Sequence, residues 1–328
     1  MNTPKRDRKK AIALARQGET WRLMVAQHQL INKRELLELL GDAEDIFEKA
    51  TEADNTYAWA WAHLAATQTY IGGTKNKNNV RHYEDADKNY NTAITLRGNY
   101  SWALAHRGQN QVWWELRKLQ KTTTPDLVMA AKKIKEVAID QYFERAIGLD
   151  PNYKWALVRM AIAYRIAGLL KSEDSTLPES YHNEALKLLN RVIDFRVQRK
   201  KITPNYAIAY AYLAVVHRQQ ARQYKTKGLF EEATESWEQV YNNLDEAIIL
   251  NPEVFYPPKL LRIGFVYDRP ILQDAGDAPE LIADTPTDAS EPNIYECYEM
   301  AVAKARREGH VAAQRDIDRV LAHFVHQS

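Results

Sequence analysis

Apolar residues recur at positions i, i+3, i+4 and i+7 through most of the chain, and runs of alternating apolar and polar residues are absent. The stretch DPNYKWALVRMAIAYRIAG, residues 150–168, shows one such unit: a turn signal, apolar residues at helical spacing, and a glycine. Just 12 glycine and 12 proline residues interrupt these segments, which are rich in Ala, Leu, Glu, Lys, Gln and Arg. The pattern predicts an all-α protein, built either as a large bundle or as a stack of helical hairpins.

One arrangement of aromatic and small residues is repeated along the chain. In residues 47–62, 90–105 and 143–158, an aromatic residue is followed three positions later by Ala, and Tyr follows seven positions after that Ala. A fourth copy, 244–258, has Val in the Tyr position, and another copy is interrupted by extra residues at 194–202. The equivalent positions lie 43, 53, 53 and 48 residues apart: Tyr57, Tyr100, Tyr153, Tyr206 and Val254. This repetition favours the stack of hairpins.

The repeated positions resemble those of the tetratricopeptide repeat (TPR) family, whose unit is a helical hairpin of about 34 residues with small residues where helices cross. In the first helices the matching residues are Leu64, Ala65, Gly72, Met160, Ala161, Tyr164, Gly168, Leu213 and Ala214. In the second helices they are Ala43, Phe47, Ala50, Ala86, Tyr90 and Ala93. The resemblance implies a right-handed α-solenoid of four to five TPR-like hairpins with helical caps, in which Ala lets helices approach closely and the aromatic fills the space between hairpins. The glycines are expected in the turn that closes each first helix.

The resemblance divides the chain into four parts. Residues 1–41 are expected to form an N-terminal helical cap, 42–268 the repeat array, 269–292 an acidic, Pro-rich loop or linker, and 293–328 a C-terminal helical hairpin cap. The third part contains six acidic residues and no basic residue after residue 269, which favours a linker, a docking segment, or a strap over basic positions of the array.

The repeats are longer than the family pattern. The interval from Gly72 to Ala86 is 14 residues and that from Gly168 to Ala185 is 17, with the surplus chiefly in the turn inside each hairpin. We expect much of it to lengthen both helices around a short polar loop. Insertions at one place in each repeat emerge on one edge of the stack, which is either a second contact surface or a site of tolerated insertion.

In this family the first helices line a concave groove, so the resemblance implies which side chains face a partner. The positions placed there are Trp59, His63, Trp102, His106, Gln109, Trp155, Arg159 and Tyr212, with Arg165 and Arg218 one turn further along.

Three residue types stand out in this groove. Tryptophan at one repeat position indicates either apolar anchors for a partner or packing against the preceding repeat. The two histidines recur without a carboxylate or Cys cluster, which favours structural or partner hydrogen bonding over metal binding. The two arginines at equivalent places are expected either to receive an acidic group or to be solvated.

No pattern typical of catalysis is present. The chain lacks a glycine-rich phosphate loop, HExxH, CxxC and Gly-x-Ser-x-Gly, so we expect no enzymatic activity, no cofactor and no metal. A single cysteine, Cys297, excludes an intramolecular disulfide and fits a reducing compartment. Without a signal peptide or a run of 18 apolar residues, a cytoplasmic location away from membranes is expected.

The function indicated is that of a protein–protein interaction scaffold, adaptor or regulatory subunit that binds a peptide or helix of another protein in the groove. The net charge of +2 gives no overall field directed at nucleic acid. The short basic clusters KRDRKK, KKIK and RVQRKK nevertheless keep a nucleic-acid-binding repeat protein open as the alternative, and self-association remains a third hypothesis.

Overall fold

The structure, a computed structural model, describes residues 6–27, 33–74, 80–123, 125–171, 179–199 and 204–250. These residues form helices and short turns, and no strand occurs among them, which confirms the all-α prediction. The helices are α1 (Arg8–Gln27), α2 (Lys33–Ala53), α3 (Ala58–Thr74), α4 (Arg81–Leu96), α5 (Ser101–Lys121), α6 (Leu127–Lys133), the π-helix π1 (Ile134–Phe143), α7 (Glu144–Leu149), α8 (Lys154–Lys171), α9 (Glu179–Arg199), α10 (Pro204–Thr226) and α11 (Phe230–Leu250). The acidic segment 269–292, the C-terminal cap 293–328 and Cys297 lie outside the described residues.

The chain divides into two compact units, Met1–Ala156 and Leu157–Ser328. In the first unit, α1 packs against α2, α3 against α4, and α5 against the continuous helical segment α6–π1–α7. Successive hairpins also touch, because α2 packs against α3 and α4 against α5. The boundary expected after residue 41 falls inside α2, and α1 packs against that helix.

Alanine and aromatic side chains form the core between these helices, as the repeat pattern predicted. One cluster joins α3, α4 and α5 and consists of Ala62, Ala65, Ala66, Ala86, Tyr90, Ala93, Tyr100 and Ala103. A second cluster joins α1, α2 and α3 and consists of Ala15, Ala43, Phe47, Ala50, Ala60 and Leu64. Small side chains on facing helices bring the helix axes together, and large aromatic rings fill the remaining space.

Glycine has a different role from the one expected of it. Gly72 lies inside α3, which continues to Thr74, and Gly168 lies inside α8, which continues to Lys171. Neither glycine therefore closes its hairpin. A Cβ atom at Gly72 would lie 2.9 Å from the Tyr83 ring of the second helix. The absence of a side chain lets that ring approach the first helix.

The second helix of the third hairpin contains a ten-residue π-helix, and its apolar spacing explains why. In α4, the buried residues Tyr83 and Tyr90 are seven positions apart, which is two turns of an α-helix. In π1, the buried residues Ile134 and Phe143 are nine positions apart, with buried Ala138 and Ile139 between them. Wider turns with hydrogen bonds from i to i+5 keep all of these side chains on the side that packs against α5.

In the second unit, α10 packs against both α9 and α11. The 23 residues of α10 and 21 residues of α11 are separated by just three residues, 227–229, in which Gly228 has φ of 75°. This hairpin therefore confirms that surplus residues lengthen the helices around a short turn. The ring of Tyr164 on α8 meets that of Tyr181 on α9 edge to face, with centroids 5.9 Å apart.

Candidate interaction face

Five of the predicted groove residues form one continuous stack of rings, which we call the aromatic ladder: Trp59, His63, Trp102, His106 and Trp155. Successive ring centroids are 3.7, 4.4, 3.8 and 3.9 Å apart, and the planes are inclined by 12° to 27°. The sequence placed these residues on one face of the first helices. The repeated tryptophans suggested a row of aromatic rings, but the sequence did not indicate that the two histidines would stack between them.

Helix geometry produces the ladder. In α3 and in α5, a tryptophan near the helix start is followed four residues later by a histidine, so both side chains lie on one side of the helix, one turn apart. The histidine of α3 then contacts the tryptophan of α5, and the histidine of α5 contacts Trp155 at the start of α8. Ring faces along the ladder are therefore covered by neighbouring rings. The structure supports the packing interpretation of the tryptophans and leaves a partner mainly the ring edges.

Glu19 of α1 fixes the first histidine of the ladder. Its Oε2 atom lies 3.0 Å from Nδ1 of His63, and Arg22 donates two hydrogen bonds of 2.6 and 2.7 Å to the same carboxylate. Burial raises the pKa of Glu19, but the hydrogen bonds from His63 and Arg22 outweigh this effect and bring the pKa to about 2. Because an ionised carboxylate accepts hydrogen bonds and cannot donate them, the Nδ1 atom of His63 carries a proton. Burial lowers the pKa of His63, and Glu19 opposes that shift.

The remaining expected groove residues differ in exposure. Trp59, Trp102, His106, Trp155, Arg159 and Tyr212 are half-buried, whereas His63 and Gln109 are buried. In the second unit, Arg165 and Arg218 are just 5% and 4% exposed, and Arg165 Nε donates to Gln219 Oε1 over 3.1 Å. Both arginine side chains are therefore buried, in contrast to the solvated positions that were one of the two expectations for them.

Two exposed aromatic side chains complete this face of the first unit. Tyr70 is 48% exposed and Trp113 is 45% exposed. Each lies eleven residues after the ladder tryptophan of its own helix, Trp59 in α3 and Trp102 in α5, so the two occupy equivalent repeat positions. The predicted groove positions in α3 and α5 end before these two residues, although the eleven-residue interval from each tryptophan is visible in the sequence.

Buried polar contacts hold α3 and α5 side by side beneath these two rings. Asn110, which is fully buried, accepts a hydrogen bond of 2.9 Å from Thr69 and donates one of 3.0 Å to the backbone oxygen of Tyr83. Arg117 donates to the backbone oxygens of Gly72 and Gly73, near the end of α3, over 3.3 and 3.4 Å. These bonds satisfy carbonyl groups at a helix end and fix the spacing of the two helices.

The described ranges contain no group of three or more His, Cys, Asp or Glu side chains that could hold a metal ion. Among the same residues, no helix is both long and apolar enough to cross a membrane.

The fold and this face define a class: an all-α protein of stacked helical hairpins whose first helices carry an aromatic ladder. No protein-family model matches the chain, and no curated protein matches it. Two solved structures are similar to it, a crystal structure of MamA with 19% identity and a TM-score of 0.40 and a crystal structure of MamA protein with 14% identity and a TM-score of 0.43. They cover 65% and 76% of this chain and 94% and 99% of their own. With TM-scores below 0.5, neither similarity supports an inference about this chain.

Proposed function

We propose that the protein is a non-enzymatic interaction scaffold that binds a peptide or helix of another protein on the face formed by α3 and α5. The observation that carries this proposal is the pair Tyr70 and Trp113, two large aromatic side chains exposed at equivalent positions of neighbouring helices. Tyrosine and tryptophan are the residues most enriched at binding hot spots, because each covers a large area while losing few rotatable bonds. A repeated exposed aromatic position has no role in the core of either hairpin.

The face offers contacts at two places along the helices, the ladder and the exposed pair Tyr70 and Trp113. Eleven residues of α-helix separate each exposed ring from the ladder tryptophan of its own helix, which corresponds to about 16 Å along the helix axis. A short helix or an extended peptide can reach both levels, touching the ladder through its ring edges and the exposed pair through ring faces. The carboxylate of Glu19 is already engaged by Arg22 and His63, so the ladder end of the face presents a neutralised ion pair.

The geometry gives less support to nucleic-acid binding. Bases stack on free aromatic faces, whereas the ladder rings stack on one another. In the basic cluster KKIK, Lys132 pairs with Glu136, Lys133 with Glu115 and Lys135 with Asp140. Any anionic ligand, phosphate included, would compete with these acidic partners, so the cluster gives no specific support to a nucleic-acid backbone.

The test compares proteins captured from native extract by the immobilised full chain and by a Tyr70→Ser/Trp113→Ser variant. Phe230→Ser is the matched control, because Phe230 is a large apolar residue, 66% exposed, at the start of α11. We expect a protein retained by the wild type and by the control to be lost with the double variant. Equal capture by all three chains, or capture of nucleic acid in place of protein, contradicts the proposal.

A further inference from the structure

A second surface, on the hairpin of α5 and α6, combines exposed apolar side chains with lysines. Val128 is 63% exposed and Met129 is 47% exposed, both in the first turn of α6. Asp126 fixes this turn, because its side chain accepts a hydrogen bond of 2.8 Å from the backbone nitrogen of Met129. Ala130 and Ala131 are buried, so the neighbouring apolar pair is held outward on an anchored helix.

Four lysines lie on the same two helices as this apolar pair. Lys132 and Lys133 lie one turn further along α6, and Lys118 and Lys121 lie in the last turn of α5. Glu115 of α5 joins the two groups, with Oε1 2.7 Å from Lys118 Nζ and Oε2 4.0 Å from Lys133 Nζ. We call this surface the basic edge: Lys118, Lys121, Val128, Met129, Lys132 and Lys133.

The charge of the basic edge is strongly one-sided. Residues 118–133 contain four lysines and one acidic residue, Asp126, whose carboxylate is engaged at the helix start. This segment alone carries a net charge of +3, although the whole chain carries +2. Glu115, the acidic side chain beneath the lysines, is buried and therefore offers little to a ligand at the surface.

We propose that the basic edge binds an acidic segment of a protein in which apolar side chains are interspersed with Asp and Glu. Carboxylates of the ligand would compete with Glu115 and Glu136 for the lysines. The apolar side chains of the ligand would cover Val128 and Met129 at the same time, which an anion without apolar groups cannot do. A nucleic-acid backbone matches the charge and leaves the apolar pair uncovered. An anionic membrane matches both features less well, because just two apolar side chains are available to enter it. This surface and its variants are separate from those of the proposed function, so either proposal can fail alone.

The test is a selection from a display library of random 16-residue peptides on the immobilised full chain, followed by affinity measurements on the enriched peptides. Two variants accompany the wild type: Lys121→Glu/Lys132→Glu, which reverses charge, and Val128→Ser/Met129→Ser, which removes the apolar pair. All four side chains are exposed, and circular dichroism verifies that the helices are retained. Single-stranded RNA and phosphatidylserine vesicles are measured in parallel as alternative ligands.

We expect enriched peptides rich in Asp and Glu with interspersed Leu, Ile or Phe, bound about tenfold more weakly by the charge-reversal variant. We also expect weaker binding to the Val128→Ser/Met129→Ser variant and at higher salt. No acidic enrichment, binding unchanged by either variant, or tighter variant-sensitive binding of RNA or vesicles overturns the proposal.

Discussion

Replacing Gly108 by alanine tests the packing between the first and second helices. A Cβ atom at this position would lie 3.0 Å from both Cδ2 and Cε2 of Phe143 and 3.1 Å from the backbone oxygen of Ala138. The phenylalanine ring is fully buried and the carbonyl belongs to π1, so neither can move without disturbing the core. Overpacking of this kind costs about 1–3 kcal/mol. The better helix propensity of alanine offsets about 0.5–1 kcal/mol of this loss in the free energy of unfolding. We expect a net loss in the free energy of unfolding of up to about 2.5 kcal/mol.

Urea denaturation followed by far-ultraviolet circular dichroism measures this difference, with Gly41→Ala as the matched control. Gly41 lies inside α2, and a Cβ atom added there would meet no neighbouring atom within 4 Å, so alanine should stabilise the protein by about 0.5–1 kcal/mol. The double variant Gly108→Ala/Phe143→Leu should lose less stability than the sum of its single variants, because the smaller side chain makes room for the methyl group. If Gly108→Ala stabilises the chain as Gly41→Ala does, the close-packing argument is refuted.

Three further predictions concern stability. Trp102→Ala removes a ring stacked on two neighbours and should lower the free energy of unfolding by about 2–4 kcal/mol. Trp113→Ala should change it by about 0.5 kcal/mol. Comparable urea midpoints for the two variants would contradict the ladder geometry. Burial, helped by neighbouring His217, lowers the pKa of His182 from 6.5 to about 4. The neutral His182 side chain therefore costs no stability above pH 6.5, and the free energy of unfolding falls as the pH drops from 6.5 towards 4. His182→Leu should flatten that part of a pH series of urea midpoints. Asp126→Ala removes the hydrogen bond that begins α6 and should cost about 1 kcal/mol, visible as faster amide hydrogen exchange in the first turn of α6 and unchanged exchange in α3.

The fold was predictable wherever a short-range pattern determines the packing. Ala86, Tyr90 and Ala93 lie on one side of a single helix, and their spacing is sufficient to predict that this side is buried. The same reasoning failed for Gly72, because a glycine near the end of an apolar run fits both a helix end and a close helix contact. Tyr83, eleven residues further on, decides between the two, and no local pattern connects the pair.

The sequence was sufficient to predict which residues of the ladder share a face, but not which side chains contact one another. Repeat register placed Trp59, His63 and Trp102 on one face, but the ladder depends on the distance between α3 and α5, which alanines at the crossing determine. The hydrogen-bond partner of His63 could not be predicted from the sequence for a similar reason. Glu19 is 44 residues away, in the segment expected to form the N-terminal helical cap. No local pattern around it indicates a hydrogen bond to the His63 ring.

The ladder and the exposed aromatic pair lie towards opposite ends of the same helices, and the proposed function gives them different roles. Because ladder rings cover one another, their chief effect is to hold α3 and α5 in a fixed relation, which Asn110 and Arg117 reinforce near the other end. Tyr70 and Trp113 thus lie on two helices that these contacts hold together, and under the proposed function a partner would lose little free energy to ordering of the scaffold. A change in the ladder should therefore weaken partner binding and stability together. A change at the exposed pair should weaken binding at constant stability, and this difference separates a contact residue from a supporting one.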